Sequence, residues 1–165
     1  IRSMSYDNLT AHKTESEIGW GVLASATFNV MNCLQVYGQG VYGKGIGQFL
    51  NDMSLLNVDV VPNPEKEGKM QVLPMMGWFA GMQYNFSPKV FITSTYGQSR
   101  LYSHDGYPTT PSEQYRYGQY LNATLFWNIT SDLQVGAEYL RGWRTDFNGD
   151  TRHANRMNLA VQYSF

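Results

Sequence analysis

Three arginines, Arg116, Arg144 and Arg156, stand inside segments whose side chains alternate between apolar and polar, and Glu138 shares the polar phase with Arg144. A guanidinium is permanently charged and offers donors set for carboxylate or phosphate oxygens. Three of them on one polar wall would attract anions rather than run a reaction. Their mutual repulsion is about 1 kcal/mol per pair at ~4 Å in water and grows steeply in a dry interior, so the wall is expected to be wet. The alternative is that these arginines pair with loop carboxylates and brace the wall.

Other reactive groupings are weaker. Ser103-His104-Asp105-Gly106 places a hydroxyl, an imidazole and a carboxylate side by side, but the members of a catalytic triad converge from distant segments, and this tetrapeptide suits a turn. A lipid-directed enzyme using Ser103 or His104 is the reading it leaves open. His12 and His153 lack partners at metal-ligand spacing. The run Gly38, Gly40, Gly43, Gly45, Gly47 precedes no legible helix, so it suits close backbone approach in a strand better than a phosphate loop. Cys33 is the single cysteine and excludes an intrachain disulfide. No catalytic residue, metal or cofactor is expected.

The elements that would carry these residues are strands. A short unit recurs three times: Phe28-Asn29-Val30 to Leu34-Gln35-Val36, Tyr84-Asn85-Phe86 to Val90-Phe91-Ile92, and Trp127-Asn128-Ile129 to Leu133-Gln134-Val135. Each reads aromatic-Asn-apolar, a three-residue turn, then apolar-x-apolar, the pattern of a tight β-hairpin. Longer polar stretches at 10–17, 51–69 and 103–114 alternate with these turns, and Asn148-Gly149-Asp150 marks a final short connection. The spacing predicts eight strands at roughly 1–9, 18–30, 34–50, 70–86, 90–102, 115–129, 133–147 and 151–165, forming one domain over residues 1–165.

Composition narrows the class. Of the 165 residues, 15% are charged, against roughly 25% in ordinary soluble domains, and 15% are aromatic, with a net charge of −1. That balance argues against a general nucleic-acid binder. No apolar run reaches the ~18 residues of a membrane helix, and a mean hydropathy of −0.38 fits strands that alternate polar and apolar. A soluble lipocalin-like barrel shares this alternation. Three features favour the membrane. Aromatics sit at strand ends (Phe28, Tyr84, Trp127 and Phe165 at one end; Tyr115, Tyr117 and Trp143 at the other), as two interfacial girdles require. The strands exceed the ~5–6 residues usual in soluble sheets. Finally, the chain stops on an aromatic. The expected fold is therefore all-β, a transmembrane antiparallel up-and-down β-barrel.

Phase then sorts the side chains. Tyr117, Leu121, Ala123, Leu125 and Trp127 fall on the apolar face, and Arg116, Gly118, Tyr120, Asn122 and Thr124 on the polar one, with Phe126 off phase. Pairing Ile129 with Leu133 sets Gly118 opposite Arg144 and Arg116 diagonal to it; pairing Phe147 with Thr151 sets Arg156 opposite Gly142. On this register Arg116, Arg144, Arg156, Glu138, Tyr120, Asn122, Asn158 and Gln162 line the lumen. Arg141 lies outward near the upper rim with Trp143 and Tyr117, placed to meet membrane lipid, the phosphates of lipopolysaccharide or a neighbouring subunit.

The stretch from Tyr115 to Phe165 resembles the C-terminal end of the DcaP-like trimeric porins. The resemblance is carried by Leu125-Phe126-Trp127-Asn128, Leu133-Gln134-Val135-Gly136-Ala137-Glu138-Tyr139, Arg141-Gly142-x-Arg144, Asn148-Gly149 and Ala154-Asn155-Arg156. The terminal Ala160-Val161-Gln162-Tyr163-Ser164-Phe165 resembles the signal read by the barrel-assembly machinery, with Tyr163 and Phe165 as its anchors. The resemblance implies a bacterial outer-membrane porin: a homotrimer of barrels of around sixteen strands, of which this chain would be the C-terminal half. It further implies a basic constriction for passive diffusion of small, anionic, hydrophilic solutes. The competing geometry is a small eight-stranded structural or adhesion barrel, whose interior side chains would fill it.

Overall fold

The computed structural model of the chain describes residues 1–110 and 112–165. Its strands, in chain order, are β1 (Arg2–Asn8), β2 (Lys13–Met31), β3 (Leu34–Lys44), the small hairpin β4 (Val60–Pro62) and β5 (Met70–Val72), then β6 (Pro74–Asn85), β7 (Val90–Leu101), β8 (Tyr115–Asn128), β9 (Leu133–Asp146) and β10 (Thr151–Tyr163). Apart from β4 and β5 they form one antiparallel meander, ordered β1-β2-β3-β6-β7-β8-β9-β10. This eight-stranded sheet does not close, because β10 is not paired with β1 or β2.

The repeated unit makes the turns at one end. In the second copy Ser87 Oγ accepts the Lys89 and Val90 amides; in the third, Thr130 Oγ1 accepts those of Asp132 and Leu133. A hydroxyl at the same place thus closes both hairpins. The longer connections gather at the opposite end.

Three boundaries differ from the sequence expectation. The first connection is 9–12 rather than 10–17, because Asn8 Oδ1 accepts the Thr10 and Ala11 amides and turns the chain early. Residues 13–17 then pair with β1. The third strand ends at Lys44 rather than at 50: Gly45 takes a φ of +65°, and the chain enters a 3-10 turn at Gly47–Phe49. The 70–86 strand is split at Leu73, with β5 joining the small hairpin and β6 the main sheet.

The two faces of the sheet differ sharply. Trp20, Val22, Phe28, Trp78, Met82, Tyr84, Leu121, Leu125, Trp127, Tyr139, Leu159, Val161 and Tyr163 are all exposed, and pairing and alternation put every one of them on the same, outer face. The accessible surface is 10611 Å², against about 8300 Å² for a compact soluble monomer of this mass.

The buried cluster lies on the other, inner face. Met75, Leu101 and Tyr115 come from the sheet, and Ile46, Leu50, Met53, Val58 and Val61 come from the 45–73 connection folded over it. The sequence pattern had marked 51–69 only as a long polar loop and had given 45–50 and 70–73 to the flanking strands.

Candidate functional site

The inner loop follows a path that the sheet leaves open. A Cβ at Gly21 would meet Ile46, one at Gly77 would strike Leu50, and one at Gly118 would lie 3.1 Å from Asp52 Oδ2. These glycines sit on β2, β6 and β8, so the chain crosses the inner face from the β2 side to β8. Between them, on β7, Ser99 donates to Asp52, and its hydroxyl also meets that of Tyr115. The loop is held at its base as well, where Asp59 accepts the Gly47 amide and pairs with Arg2 at 2.6 Å.

Past the loop tip lies the arginine wall. Gly118 pairs with Arg144, as the turn at 129–133 implied. Arg144 Nε bonds Asp146 Oδ1 at 2.7 Å, its Nη2 reaches the Glu113 carbonyl, and its guanidinium lies 5.6 Å from the Tyr115 ring. Asp146 is 1% exposed, so one carboxylate fixes this arginine and leaves its outer edge free.

Arg116 does not join that wall. A bulge between Tyr115 and Tyr117 turns Tyr115 inward and buries it, and the Arg116 guanidinium lies 5.9 Å from the Tyr117 ring, off the inner face. Tyr115 is correspondingly absent from the outer girdle. The cause lies on the neighbouring strand: the Tyr115 hydroxyl donates to the Ser99 carbonyl on β7, and the spare residue is absorbed at 116.

Arg156 lies opposite Leu140, not Gly142. Phe147 does not pair with Thr151. Its amide bonds the Gln114 carbonyl and its ring packs edge-on against Tyr107, so the hairpin closes at Thr145 and Thr151 instead. The two-residue slip keeps Arg156 on the inner phase and brings Arg152, which sequence reasoning missed, directly opposite Arg144. The wall is thus Arg144, Arg152 and Arg156.

Below it, Glu138 is held by neutral groups: Asn158 at 2.6 Å, and Asn122 and Thr124 each at 3.2 Å. No arginine pairs with it directly; Arg156 reaches it through Asn158, whose Oδ1 accepts from Arg156 Nε at 2.7 Å. Tyr120 and Gln162 occupy the inner phase, as does Phe126, which stacks on Phe91 over Gly136. On the outer face Arg141 lies 5.0 Å from the Trp143 ring, and Tyr117 lies between Arg100 and Arg116. Tyr163 ends β10 and Phe165 follows it, both exposed.

Of the other sequence candidates, Ser103-His104-Asp105-Gly106 leads into a turn. His104 and Tyr107 close a tight turn through Asp105 and Gly106, both at positive φ, and His104 lies 3.6 Å from its neighbour Asp105. Among the described residues, no group of three or more His, Cys, Asp or Glu could hold a metal ion. Pro111, in the connection that carries this turn, lies outside the described residues.

Around the loop base, Glu15 gathers Lys69 at 2.7 Å, Lys13 at 2.9 Å and the Tyr6 hydroxyl. Lys69 foremost, then Lys13 and Tyr6, lower its carboxyl from 4.5 to about 2. It stands in the part of β2 that pairs with β1, beyond the Trp20–Tyr42 aromatic pair and outside the apolar band.

This is an open, antiparallel, up-and-down sheet with an exposed apolar outer face and a loop folded onto its inner face, the form of part of a β-barrel wall. Among solved structures the chain resembles the outer-membrane channel DcaP of Acinetobacter baumannii, with a TM-score of 0.75 and 22% identity over 95% of this chain. The match spans 43% of that channel's length. No protein-family model matches the sequence, and neither does any curated protein.

Proposed function

We propose that the chain forms part of a porin of the bacterial outer membrane, a water-filled channel for passive diffusion of small hydrophilic anions. The observation that carries this reading is the division of the sheet. One face is an exposed apolar surface of a kind soluble proteins rarely show, and the other bears Arg144, Arg152 and Arg156 beside an inward loop. An apolar outer band facing lipid with a polar interior is the membrane-barrel arrangement.

The electrostatics follow from the placement. Arg144 and Arg152 stand directly opposite each other, ~5 Å apart at their Cα atoms, so their like charges are tolerable only with water between them. Asp146 neutralises one of them; Arg156 meets a neutral asparagine. Among the described residues Arg152 and Arg156 have no carboxylate in direct contact. This stretch of the wall therefore attracts anions, with Glu138 beside it as the nearest balancing charge. Asp52 on the loop tip bounds the same space. The open sheet supports the porin over an eight-stranded closed barrel, since β10 and β1 leave room for further strands. Assembly as a homotrimer, with Tyr163 and Phe165 presented to the barrel-assembly machinery, belongs to the same proposal.

Single-channel recording in planar bilayers under a KCl gradient tests it. An anion-favouring reversal potential is expected, moving toward neutrality in Arg144→Ala/Arg152→Ala/Arg156→Ala. Cation preference in the unsubstituted channel, or no shift in the variant, would overturn the arginine assignment.

A further inference from the structure

The outer face carries cations with no anions to match. Along β2 to β10 its outward positions include Lys44, Arg100 and Arg141, with Arg116 added at the bulge, yet among the described residues none is Asp or Glu. The arginines are clustered by aromatic rings. Arg100 and Arg116 lie 5.7 and 5.9 Å from the one Tyr117 ring, and Arg100 is also 5.1 Å from Tyr102. On the adjacent strand Arg141 lies 5.0 Å from Trp143. The Nε atoms of Arg100 and Arg141 are buried and have no hydrogen-bond partner.

Among the described residues none of the guanidiniums of Arg100, Arg116 and Arg141 has a carboxylate within ion-pair reach, and acyl chains have no acceptors to offer. Arg100 and Arg116 sit at the loop-bearing ends of β7 and β8 beside Tyr117. Arg141 stands level with Leu121 on β9, and its guanidinium lies against Trp143, nearer the same rim. The two aromatics mark the level of the headgroups. The missing charge must therefore come from outside the chain, and phosphate fits the planar fork of arginine.

We propose that Arg100, Arg116 and Arg141, set by Tyr117 and Trp143, form a binding site for the phosphate groups of an outer-leaflet lipid headgroup. The site rests on the outer-membrane reading given above. It is separate from the inner wall of Arg144, Arg152 and Arg156, and it would anchor the barrel's rim in the outer leaflet.

The test is native mass spectrometry of the intact barrel in zwitterionic detergent, offered diphosphoryl lipid A, its dephosphorylated form, or phosphatidylcholine. Unheated-gel mobility checks that each variant is folded. The diphosphoryl form is expected to be retained about tenfold better than the other two. Arg100→Gln/Arg141→Gln should lose that advantage and Arg141→Lys should keep part of it, because lysine preserves the charge but not the fork. Millimolar inorganic phosphate should not displace the lipid.

Equal retention by the double variant, or of the dephosphorylated form, would overturn the site. Complete displacement by inorganic phosphate would replace it with a free-anion site. Loss of subunit association with lipid retention intact would assign the arginines to a neighbouring copy instead. A barrel that inserts and conducts yet fails these tests refutes this site alone; a chain that never inserts into a bilayer refutes the channel reading with it.

Discussion

Replacing Gly77 by alanine places a methyl group where the Leu50 side chain now sits. In a strand interior this exchange ordinarily gains about 0.5–1 kcal/mol from reduced backbone freedom. Here the inner loop covers the site and Leu50 is 8% exposed, so the added atom overpacks the contact at a cost of about 1–3 kcal/mol. The sheet can keep its pairing while the loop lifts, so the cost should fall on loop docking. Hydrogen–deuterium exchange of peptides covering 46–56 reads that directly, because the Leu50, Met53 and Leu56 amides bond within the loop. Exchange through local opening should be faster by roughly 5- to 150-fold. Leu50→Ala alone should also loosen the loop, through a cavity term of about 2–5 kcal/mol. In the double variant the clash is gone, so the two effects should fall short of their sum by about 1 kcal/mol or more. Unchanged or slower exchange in Gly77→Ala, or strict additivity, would refute the placement of the loop over β6.

Two further outcomes follow from the same geometry. Glu15 has its carboxyl lowered to about 2 chiefly by Lys69, so its tie between hairpin and loop should be complete above about pH 4.5 and fade as pH falls toward 2. Exchange at 66–71, corrected for intrinsic rates, should show that loss, and Glu15→Gln should abolish it. A Cβ at Gly43 would run into the Trp20 carbonyl and the Gly21 Cα, so Gly43→Val should break the β2–β3 pairing and remove the folded band on unheated gels, whereas Gly40→Ala, with only Trp78 Cβ at 3.9 Å, should retain it.

The strand plan was legible because local chemistry repeats: the aromatic-Asn-apolar unit and its Ser87 or Thr130 hydroxyl define the hairpins without help from distant residues. The register from β7 to β9 followed from those turns. The positions of Arg116 and Arg156 were not legible, since the first depends on a contact with the neighbouring strand and the second on contacts between two connections. Tyr115 turns inward to reach Ser99, and Phe147 leaves its own hairpin for the Gln114 carbonyl and Tyr107. Arg152 was overlooked because the two-residue slip at 147–151 hid its partner. The inner loop left a faint trace in inward glycines such as Gly77 and Gly118, whose purpose shows only when Leu50 and Asp52 lie on them.

Spin labels placed singly at Asn158, Leu159, Ala160, Val161 and Gln162 in the bilayer-inserted protein measure which face meets what. Labels at Leu159 and Val161 should collide with dissolved oxygen and be shielded from a water-soluble nickel chelate, while those at Asn158, Ala160 and Gln162 should show the reverse, a period of two along β10. Chelate access to 159 and 161 with protection at 158, 160 and 162 would contradict the assignment of the apolar face to lipid.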